Sequence, residues 1–155
     1  IDDLLVVSRI DRGAIPVHLE PVPLKLAFEE VNRVVSIEPT FAIEPPDLTV
    51  EADRDHLTRI LINLVENALD AMPNGGQLTL SGQRTASHLV LTVHDTGVGI
   101  AATALPRLFT PLYTTKPEGT GLGLYVVQEI VKAHGGTVDA TSLPEAGTTF
   151  TIRLP

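Results

Sequence analysis

The stretch from residue 63 to residue 72 reads NLVENALDAM and places two asparagines four positions apart in a largely apolar run. This spacing puts Asn63 and Asn67 on the same face of an α-helix, and Asp70 extends the polar stripe by one turn. Asp53 precedes the run and is a candidate N-cap for a helix over residues 54–72. Apolar residues at helical spacing predict an adjoining core face: Leu57, Ile60, Leu61, Leu64 and Ala68.

The two asparagines admit two interpretations. Amide oxygens one turn apart suit Mg²⁺, a hard cation that takes oxygen ligands and completes its shell with water and phosphate. The alternative is a pair of buried amides that are hydrogen-bonded within the protein. The helix taken alone leaves both open.

Composition limits the classes of function. The chain has 155 residues, of which 43% are hydrophobic and 4% aromatic, so one domain with an aliphatic core is expected. A formal net charge of -8 argues against a general nucleic-acid or anionic-membrane surface. The absence of cysteine excludes disulfides and thiolate metal sites. No apolar run reaches the roughly 18 residues of a membrane span.

Periodicity and turn residues predict an α+β domain with one sheet covered on one face by helices. Residues 14–24 carry three prolines and are expected to be a linker or an edge strand. Residues 101–109 are expected to form a short, irregular helix. The other predicted helices are 1–13 (last turns only), 24–35, 54–72 and 122–136, and the predicted strands lie within 40–53, 77–83, 88–95, 137–142 and 148–155.

A second candidate site begins where a predicted strand ends, in the sequence HDTGVGI at residues 94–100. The carboxylate of Asp95 can accept a hydrogen bond from an amine such as that of adenine. Gly97 and Gly99 would let a flat ring approach the backbone closely. The alternative is an ordinary strand-ending turn. A calcium loop is less favoured because the other regularly spaced carboxylates are missing.

A third candidate is the glycine series GTGLGL at residues 119–124, which runs into a predicted helix. Free N–H groups at a helix start bind phosphate, and Lys116 lies just upstream as a candidate phosphate contact. The series is not a Walker A loop, because no GK[ST] follows. For Lys116 the alternative is a solvated loop lysine.

The order of these motifs closely resembles the ATP-binding catalytic domain of sensor histidine kinases. That domain belongs to the wider gyrase, heat-shock-chaperone, histidine-kinase and mismatch-repair ATPase family. NLVENALDA is similar to the N box of this family, DTGVGI to the first G box, LFTPLYTTK to the F box, GTGLGL to the second G box and AGTTFTI to the last glycine motif. The resemblance covers roughly residues 20–155. It implies a two-layer Bergerat fold, with a mixed sheet of about five strands, about three helices on one face and a flexible ATP lid.

The resemblance also implies roles for individual residues. Asn67 would bind Mg²⁺, while Asn63 and Lys116 would serve the phosphate side and catalysis. Asp95 would bond the adenine amino group, with Thr148 and a bound water close by. The remaining implied nucleotide contacts are Gly97, Gly99 and Ile100 in the pocket wall, Phe109, Tyr113 and Thr115 in a lid over residues 105–120, and Gly119, Thr120, Gly121, Leu122, Gly123 and Leu124 in or beside the phosphate loop.

Two positions depart from the family pattern. Asp70 stands where some members carry a basic residue, which leaves Mg²⁺, Lys116 and backbone N–H groups to balance phosphate charge. Leu112 replaces the first of two aromatic residues in the F box.

Gyrase-type relatives have a glutamate at the position of Asn63, so the obvious hydrolytic base is missing and phosphoryl transfer is favoured. A hydrolysing ATPase and a nucleotide-sensing interaction domain are the alternatives.

The phosphoryl acceptor is expected to be a histidine on upstream dimerisation helices, and none of the five histidines of this chain fits it. Residues 1–13 resemble the tail of such a helix, and residues 14–155 the catalytic domain. The resemblance implies ATP and Mg²⁺ as cofactors, a cognate response regulator as partner, and a full-length homodimer. It implies a cytoplasmic location for this domain, with no nucleic acid bound and no direct membrane contact.

Overall fold

The computed structural model describes residues 7–8, 15–34, 38–114 and 121–155. These residues contain three α-helices, seven strands and one short 3₁₀ helix at Leu105–Arg107. The helices are α1 (Leu24–Asn32), α2 (Arg54–Asp70) and α3 (Gly123–Ala133). The strands are β1 (Glu20–Pro23), β2 (Thr40–Glu44), β3 (Thr49–Ala52), β4 (Leu78–Arg84), β5 (Leu89–Asp95), β6 (Thr137–Leu143) and β7 (Gly147–Leu154).

The main sheet has five strands in the order β2-β4-β5-β7-β6. Strand β2 runs parallel to β4, whereas the β4–β5, β5–β7 and β6–β7 pairs are antiparallel. The sheet is therefore mixed, and the predicted α+β class with a five-stranded mixed sheet and three helices is confirmed.

Alternation along the strands separates the two faces of this sheet. In β5, every second residue from Leu89 to Asp95 is buried, and β7 buries Phe150, Ile152 and Leu154 in the same way. These side chains form one core with the apolar faces of the three helices. Because side chains alternate along a strand, the buried row also carries Asp95 and Thr148 into the protein at the ends of β5 and β7.

Strands β1 and β3 form a separate two-stranded antiparallel sheet, which the sequence did not predict. The sequence pattern predicted one or two strands around β3 and a linker or an edge strand around β1, with no partner for either. Val22 and Val50 face each other in this pair, and both are buried. Burial of this apolar pair against the helices favours the small sheet over a solvated linker.

Helix α2 begins as predicted and ends earlier than predicted. The Asp53 carboxylate accepts hydrogen bonds from the Asp55 and His56 N–H groups, as an N-cap does. The predicted end at Met72 was wrong, since the helix ends at Asp70 and the Met72 N–H bonds the Leu69 carbonyl in a tighter turn. Pro73 follows Met72, and the ring of a proline disfavours helical backbone angles at the residue before it.

One histidine joins the ends of two helices. The Nε2 atom of His134 accepts a hydrogen bond from the Asp53 N–H at 3.1 Å, and its Nδ1 lies 2.8 Å from the Ile130 carbonyl oxygen. His134 thus caps the carboxyl end of α3 and also holds the start of α2. Within the described residues, no helix is long and apolar enough to cross a membrane.

Candidate active site

The first asparagine of the NLVENALDAM stretch connects two helices. Its side-chain nitrogen, Nδ2, donates a hydrogen bond of 3.1 Å to the carbonyl oxygen of Gly123, the first residue of α3. Asn63 therefore holds the end of the second glycine motif against the middle of α2. This contact is of the kind that the structural interpretation of the asparagines predicted, and it leaves the amide oxygen of Asn63 as an acceptor.

The second asparagine lies one turn further along α2, close to the loop that follows β5. The Ala71 N–H donates to the Asn67 carbonyl at 3.1 Å, and the Ala71 carbonyl accepts from the Val98 N–H at 2.9 Å. The Asn67 side chain is partly buried, whereas Asp70 is exposed. The end of the helix that carries Asn67 is thus hydrogen-bonded to the glycine loop that begins at Asp95.

Close backbone contacts explain two glycines of that loop. A Cβ atom on Gly97 would lie 2.3 Å from the Ala71 carbonyl oxygen, so a side chain there would push the loop away from α2. Gly99 has a φ of +76°, and its Cβ would lie 2.1 Å from the Leu143 carbonyl oxygen. The Glu145 N–H also donates to the Val98 carbonyl, at 2.6 Å. The glycine loop is therefore packed between the end of α2 and the β6–β7 turn.

Asp95 is the acidic centre of the site. It is 2% exposed at the end of β5, and its Oδ1 accepts a hydrogen bond of 2.8 Å from the Gly97 N–H. Burial raises the pKa of this carboxyl above its ordinary value of 3.8, although hydrogen bonds from the backbone of Gly97 and Thr148 and the nearby His94 act to lower it. A buried carboxylate with few donors around it is suited to a ligand that brings its own N–H group.

Thr148 faces Asp95 directly across the β5–β7 pair and is itself 3% exposed. The next strand adds Ser142, which pairs with Thr148 in the β6–β7 register. The Ser142 Oγ accepts from the Ile100 N–H at 2.7 Å, donates to the Gly147 carbonyl at 2.9 Å and lies 2.8 Å from the Thr148 Oγ1. Ser142 was not predicted from the sequence, since a serine in a strand has no pattern of its own.

The first of the two aromatic residues in the F-box stretch, Phe109, packs on the core. The Phe109 ring meets Phe150 edge-on, with 6.3 Å between ring centroids, and Tyr113 is partly buried. Leu112 is 70% exposed with a φ of +67°, and its N–H bonds the Gly121 carbonyl at 2.8 Å. The first leucine of the second glycine motif, Leu122, is buried, and Leu124 is partly buried.

Four predicted site residues and most of one predicted segment lie outside the described residues. They are Thr115, Lys116, Gly119 and Thr120, and residues 1–13 apart from Val7 and Ser8, which are helical. The remaining predicted residues come from α2, the end of β5 and the loop after it, the segment before and within α3, and the start of β7.

The donor chemistry of the asparagines fits a magnesium ion held together with phosphate. Within the described ranges, no three His, Cys, Asp or Glu residues are grouped to form a metal cage. Mg²⁺ in phosphate-transfer sites takes only one or two ligands from the protein, and the rest from phosphate and water. Asn67 on α2 carries an amide oxygen, which is a donor of the kind that such an ion takes.

One cleft beside the glycine loop is distinct from the Asp95 site. It has a volume of about 230 Å³ and lies between residues 71–75, the loop from Thr96 to Val98, and Glu145. Among the predicted site residues that fall in the described ranges, only Gly97 lines it. The cleft therefore adjoins the candidate site, but Asp95, Asn63 and Asn67 do not line it.

Comparison with known proteins identifies the class. The family model described as histidine kinase-, DNA gyrase B- and HSP90-like ATPase matches residues 52–155. The chain is 45% identical to the sensor histidine kinase ZraS of Escherichia coli (strain K12) over 159 aligned residues, which cover 97% of this chain and 34% of ZraS. The chain thus spans about a third of the length of this curated relative.

Solved structures agree with the family match. Full-length ShkA in complex with AMPPNP superposes with a TM-score of 0.89 and 29% identity, over 99% of this chain and 34% of that one. The histidine kinase ThkA in complex with the response regulator protein TrrA gives a TM-score of 0.77 and 26% identity, over 98% of this chain and 46% of that one. The chain belongs to the histidine kinase-, gyrase B- and HSP90-like ATPase family and is a catalytic ATP-binding domain of the sensor histidine kinase type.

Proposed function

We propose that this domain binds Mg·ATP and presents the γ-phosphoryl group to a histidine on a helical dimerisation domain outside this chain. The observation that carries the proposal is the convergence of three motifs. The Asn63 side chain bonds the start of α3, and the end of α2 bonds the loop after Asp95. An adenine site and a phosphate site can therefore lie within one nucleotide length of each other.

On the adenine side, Asp95 accepts a hydrogen bond from the 6-amino group. Its burial and its place at the end of a strand support this role. The backbone of Gly97 and of Thr148 bonds the carboxylate, and a carboxylate has about four lone-pair sites, so it still has acceptor capacity for a ligand N–H. Gly97, Gly99 and Ile100 form the pocket wall. ShkA was crystallised with an ATP analogue, and its structural likeness to this chain supports the same use of the fold.

On the phosphate side, Asn67 coordinates Mg²⁺ through its amide oxygen, and Asn63 supports the phosphates. N–H groups of residues 119–123 and the Lys116 ammonium neutralise phosphate charge. Residues 105–120 close over the nucleotide as a lid, with Phe109 and Tyr113 as its anchors. The ring contact between Phe109 and Phe150 supports the anchoring role.

The hydrogen bond made by Asn63 favours phosphoryl transfer over hydrolysis. In this fold a hydrolysing site needs a carboxylate at that position to activate water. A carboxylate could not donate to the Gly123 carbonyl, which the Asn63 nitrogen does. The transfer step itself needs positioning and charge neutralisation: a histidine nitrogen attacks the γ-phosphorus, and the bond to the β–γ bridging oxygen breaks to release ADP.

The partners follow from the class. The acceptor histidine lies on a dimerisation domain of the same full-length protein, and the phosphoryl group then passes to a cognate response regulator. The ThkA–TrrA complex is a relative caught with its regulator, which supports this partner. The full-length protein is proposed to be a homodimer, with this domain in the cytoplasm.

The test is phosphotransfer in trans. The chain is mixed with the helical hairpin of its full-length protein and with ATP labelled in the γ-phosphate. The expected product is acid-labile, base-stable phosphohistidine on the hairpin, with no label on the isolated chain. Steady release of inorganic phosphate without the hairpin would instead indicate a hydrolysing ATPase. Nucleotide binding with neither product would indicate a sensing domain.

Two variants control this experiment. Asn67→Ala should abolish transfer because it removes the magnesium ligand. Glu66→Ala, one position earlier on the exposed face of α2, should leave transfer unchanged. Equal loss of transfer in both variants would point to damage to the helix rather than to a lost ligand.

A further inference from the structure

A row of side chains crosses three neighbouring strands at the adenine end of the site. Asp95 on β5 pairs with Thr148 on β7, and Thr148 pairs with Ser142 on β6. Directly paired residues of antiparallel strands project their side chains to the same face, with Cβ atoms about 4.5–5.5 Å apart. The three polar side chains therefore stand next to one another, and two of them are almost completely buried.

The proton positions in this row follow from counting donors. Ser142 has a single hydroxyl proton, and the Gly147 carbonyl at 2.9 Å can only accept it. The Ile100 N–H at 2.7 Å can only donate, so it uses a lone pair of the Ser142 oxygen. The remaining contact, 2.8 Å between the two hydroxyl oxygens, therefore requires Thr148 to donate its own proton to Ser142.

Thr148 consequently presents only lone pairs to the ligand, and it does so beside the Asp95 carboxylate. We infer that Ser142 is a specificity-determining positioning residue: by taking the Thr148 proton it makes the Asp95–Thr148 edge accept hydrogen bonds only. Such an edge fits the 6-amino group of adenine, which has two N–H donors. It rejects a purine that has a carbonyl oxygen at position 6, because acceptors would then face acceptors.

This inference rests on the proposed function and extends it from Asp95 to Ser142, a residue that acts through Thr148. Without the Ser142 oxygen, the Thr148 hydroxyl can turn and donate to a 6-carbonyl oxygen. Ser142 also ties the Ile100 backbone to β7, so its loss can weaken all nucleotides equally. The ratio of the affinity for ATP to the affinity for inosine triphosphate separates a change in specificity from a general weakening of binding, because a general weakening leaves the ratio unchanged.

The experiment compares binding of Mg·ATP and Mg·inosine triphosphate, which differ at position 6, by titration calorimetry on the full chain. The wild type should prefer ATP. Ser142→Ala should lower the ratio of the affinity for ATP to the affinity for inosine triphosphate about fivefold, which corresponds to the energy of one net hydrogen bond. Ser142→Thr, which keeps the hydroxyl, should restore the ratio. The matched control is Ser81→Ala, which removes another serine–threonine hydroxyl contact of the same sheet, with Thr92 on β5, and should leave the ratio unchanged.

A double substitution tests whether Ser142 acts through Thr148. Thr148→Val should lower the ratio by itself, and adding Ser142→Ala should change it no further. Additive effects, or a Ser142→Ala ratio equal to that of the wild type, would overturn the inference. If Ser142→Ala does not fold, two variants of Thr148 replace it. Thr148→Ser should keep the wild-type ratio of affinities, and Thr148→Val should lower that ratio. Equal ratios in these two variants would then overturn the inference. Failure of the wild type to bind either nucleotide would overturn the proposed function, and the inference with it.

Discussion

The Asn63 side-chain nitrogen donates to the carbonyl oxygen of Gly123 at 3.1 Å, which joins the centre of α2 to the first residue of α3. The same two helices carry the asparagine motif and the end of the second glycine motif. Their relative position, and with it the distance from Asn67, the proposed magnesium ligand, to the proposed phosphate loop, depends on this contact.

Substituting Asn63 with aspartate should disrupt that joint. A carboxylate cannot donate to the Gly123 carbonyl and would repel it, so a loss of about 1–2 kcal/mol in unfolding free energy is expected. The affinity for an ATP analogue should fall about tenfold or more, since each 1.4 kcal/mol is a factor of ten. Thermal unfolding and titration calorimetry measure the two effects.

Asn74→Asp is the matched control for this substitution, because Asn74 is exposed in the turn after α2. It adds the same negative charge and should change neither stability nor affinity noticeably. If Asn63→Asp also behaved like the wild type, the contact with Gly123 would have no structural weight.

Asp95→Asn should separate stability from function. Burial raises the pKa of Asp95 in the folded state above its pKa in the unfolded state. The protonated carboxyl therefore contributes to folding stability below the unfolded-state pKa, and this contribution is lost as the pH rises through the folded-state pKa. The ionised group therefore destabilises the nucleotide-free domain at neutral pH. The unfolding temperature of the variant, relative to the wild type, should rise between pH 4 and pH 7, while the preference for ATP over inosine triphosphate disappears.

The control for Asp95 is Asp139→Asn, on the exposed part of β6. Its carboxylate forms a surface ion pair with Arg153, a contact of small energy. This variant should keep the nucleotide preference. The unfolding temperature of Asp95→Asn minus that of the wild type is the quantity to follow. If this difference fell from pH 4 to pH 7, folding would not raise the pKa of Asp95.

Gly99→Ala and Gly75→Ala form a matched pair for the packing of the glycine loop. Both glycines have positive φ values, +76° and +88°, so alanine costs about 1–2 kcal/mol of backbone strain at either position. Only Gly99 is closely approached, by the Leu143 carbonyl oxygen, whereas nothing lies within 4 Å of a Cβ atom on Gly75. Gly99→Ala should therefore be the more destabilising variant and should weaken nucleotide binding. Equal losses of unfolding free energy in urea would show that the β6–β7 turn does not confine the loop.

Asn67→Ala should remove the magnesium-dependent part of nucleotide binding. In the wild type, adding Mg²⁺ should strengthen binding of an ATP analogue, because the cation offsets phosphate charge. In the variant, affinities with Mg²⁺ and with a chelator should be the same, while the affinity for adenosine alone stays at the wild-type value. Undiminished enhancement by Mg²⁺ would assign the cation to another ligand.

Features with a local signal were predictable from the sequence. The Asp53 cap, the core face of α2 and the β4–β5 hairpin each depend on neighbouring residues, and the structure has all three. The order of the sequence motifs identified the family, which the comparisons confirm. The end of α2 was predicted two residues too late, because the tight turn before Pro73 has no apolar pattern.

Features that depend on a distant partner were not predictable. A strand was predicted around β3, and a linker or an edge strand around β1, but nothing in either stretch indicated that the two pair with each other outside the main sheet. The same holds for Asn63, whose nitrogen meets a carbonyl 60 positions away. Ser142 is the clearest case, since its importance lies in hydrogen bonds to residues of two other segments.

We propose that α2, Asp95 with the loop after it, and the start of α3 together hold one nucleotide. The deciding measurement is calorimetric titration of non-hydrolysable analogues of ATP and of inosine triphosphate, with and without Mg²⁺, into the wild type, Asn67→Ala and Asp95→Asn. One site is expected, strengthened by Mg²⁺ only where residue 67 is asparagine and selective for adenine only where residue 95 is aspartate. No binding by the wild type, or binding that neither substitution alters, would contradict the claim.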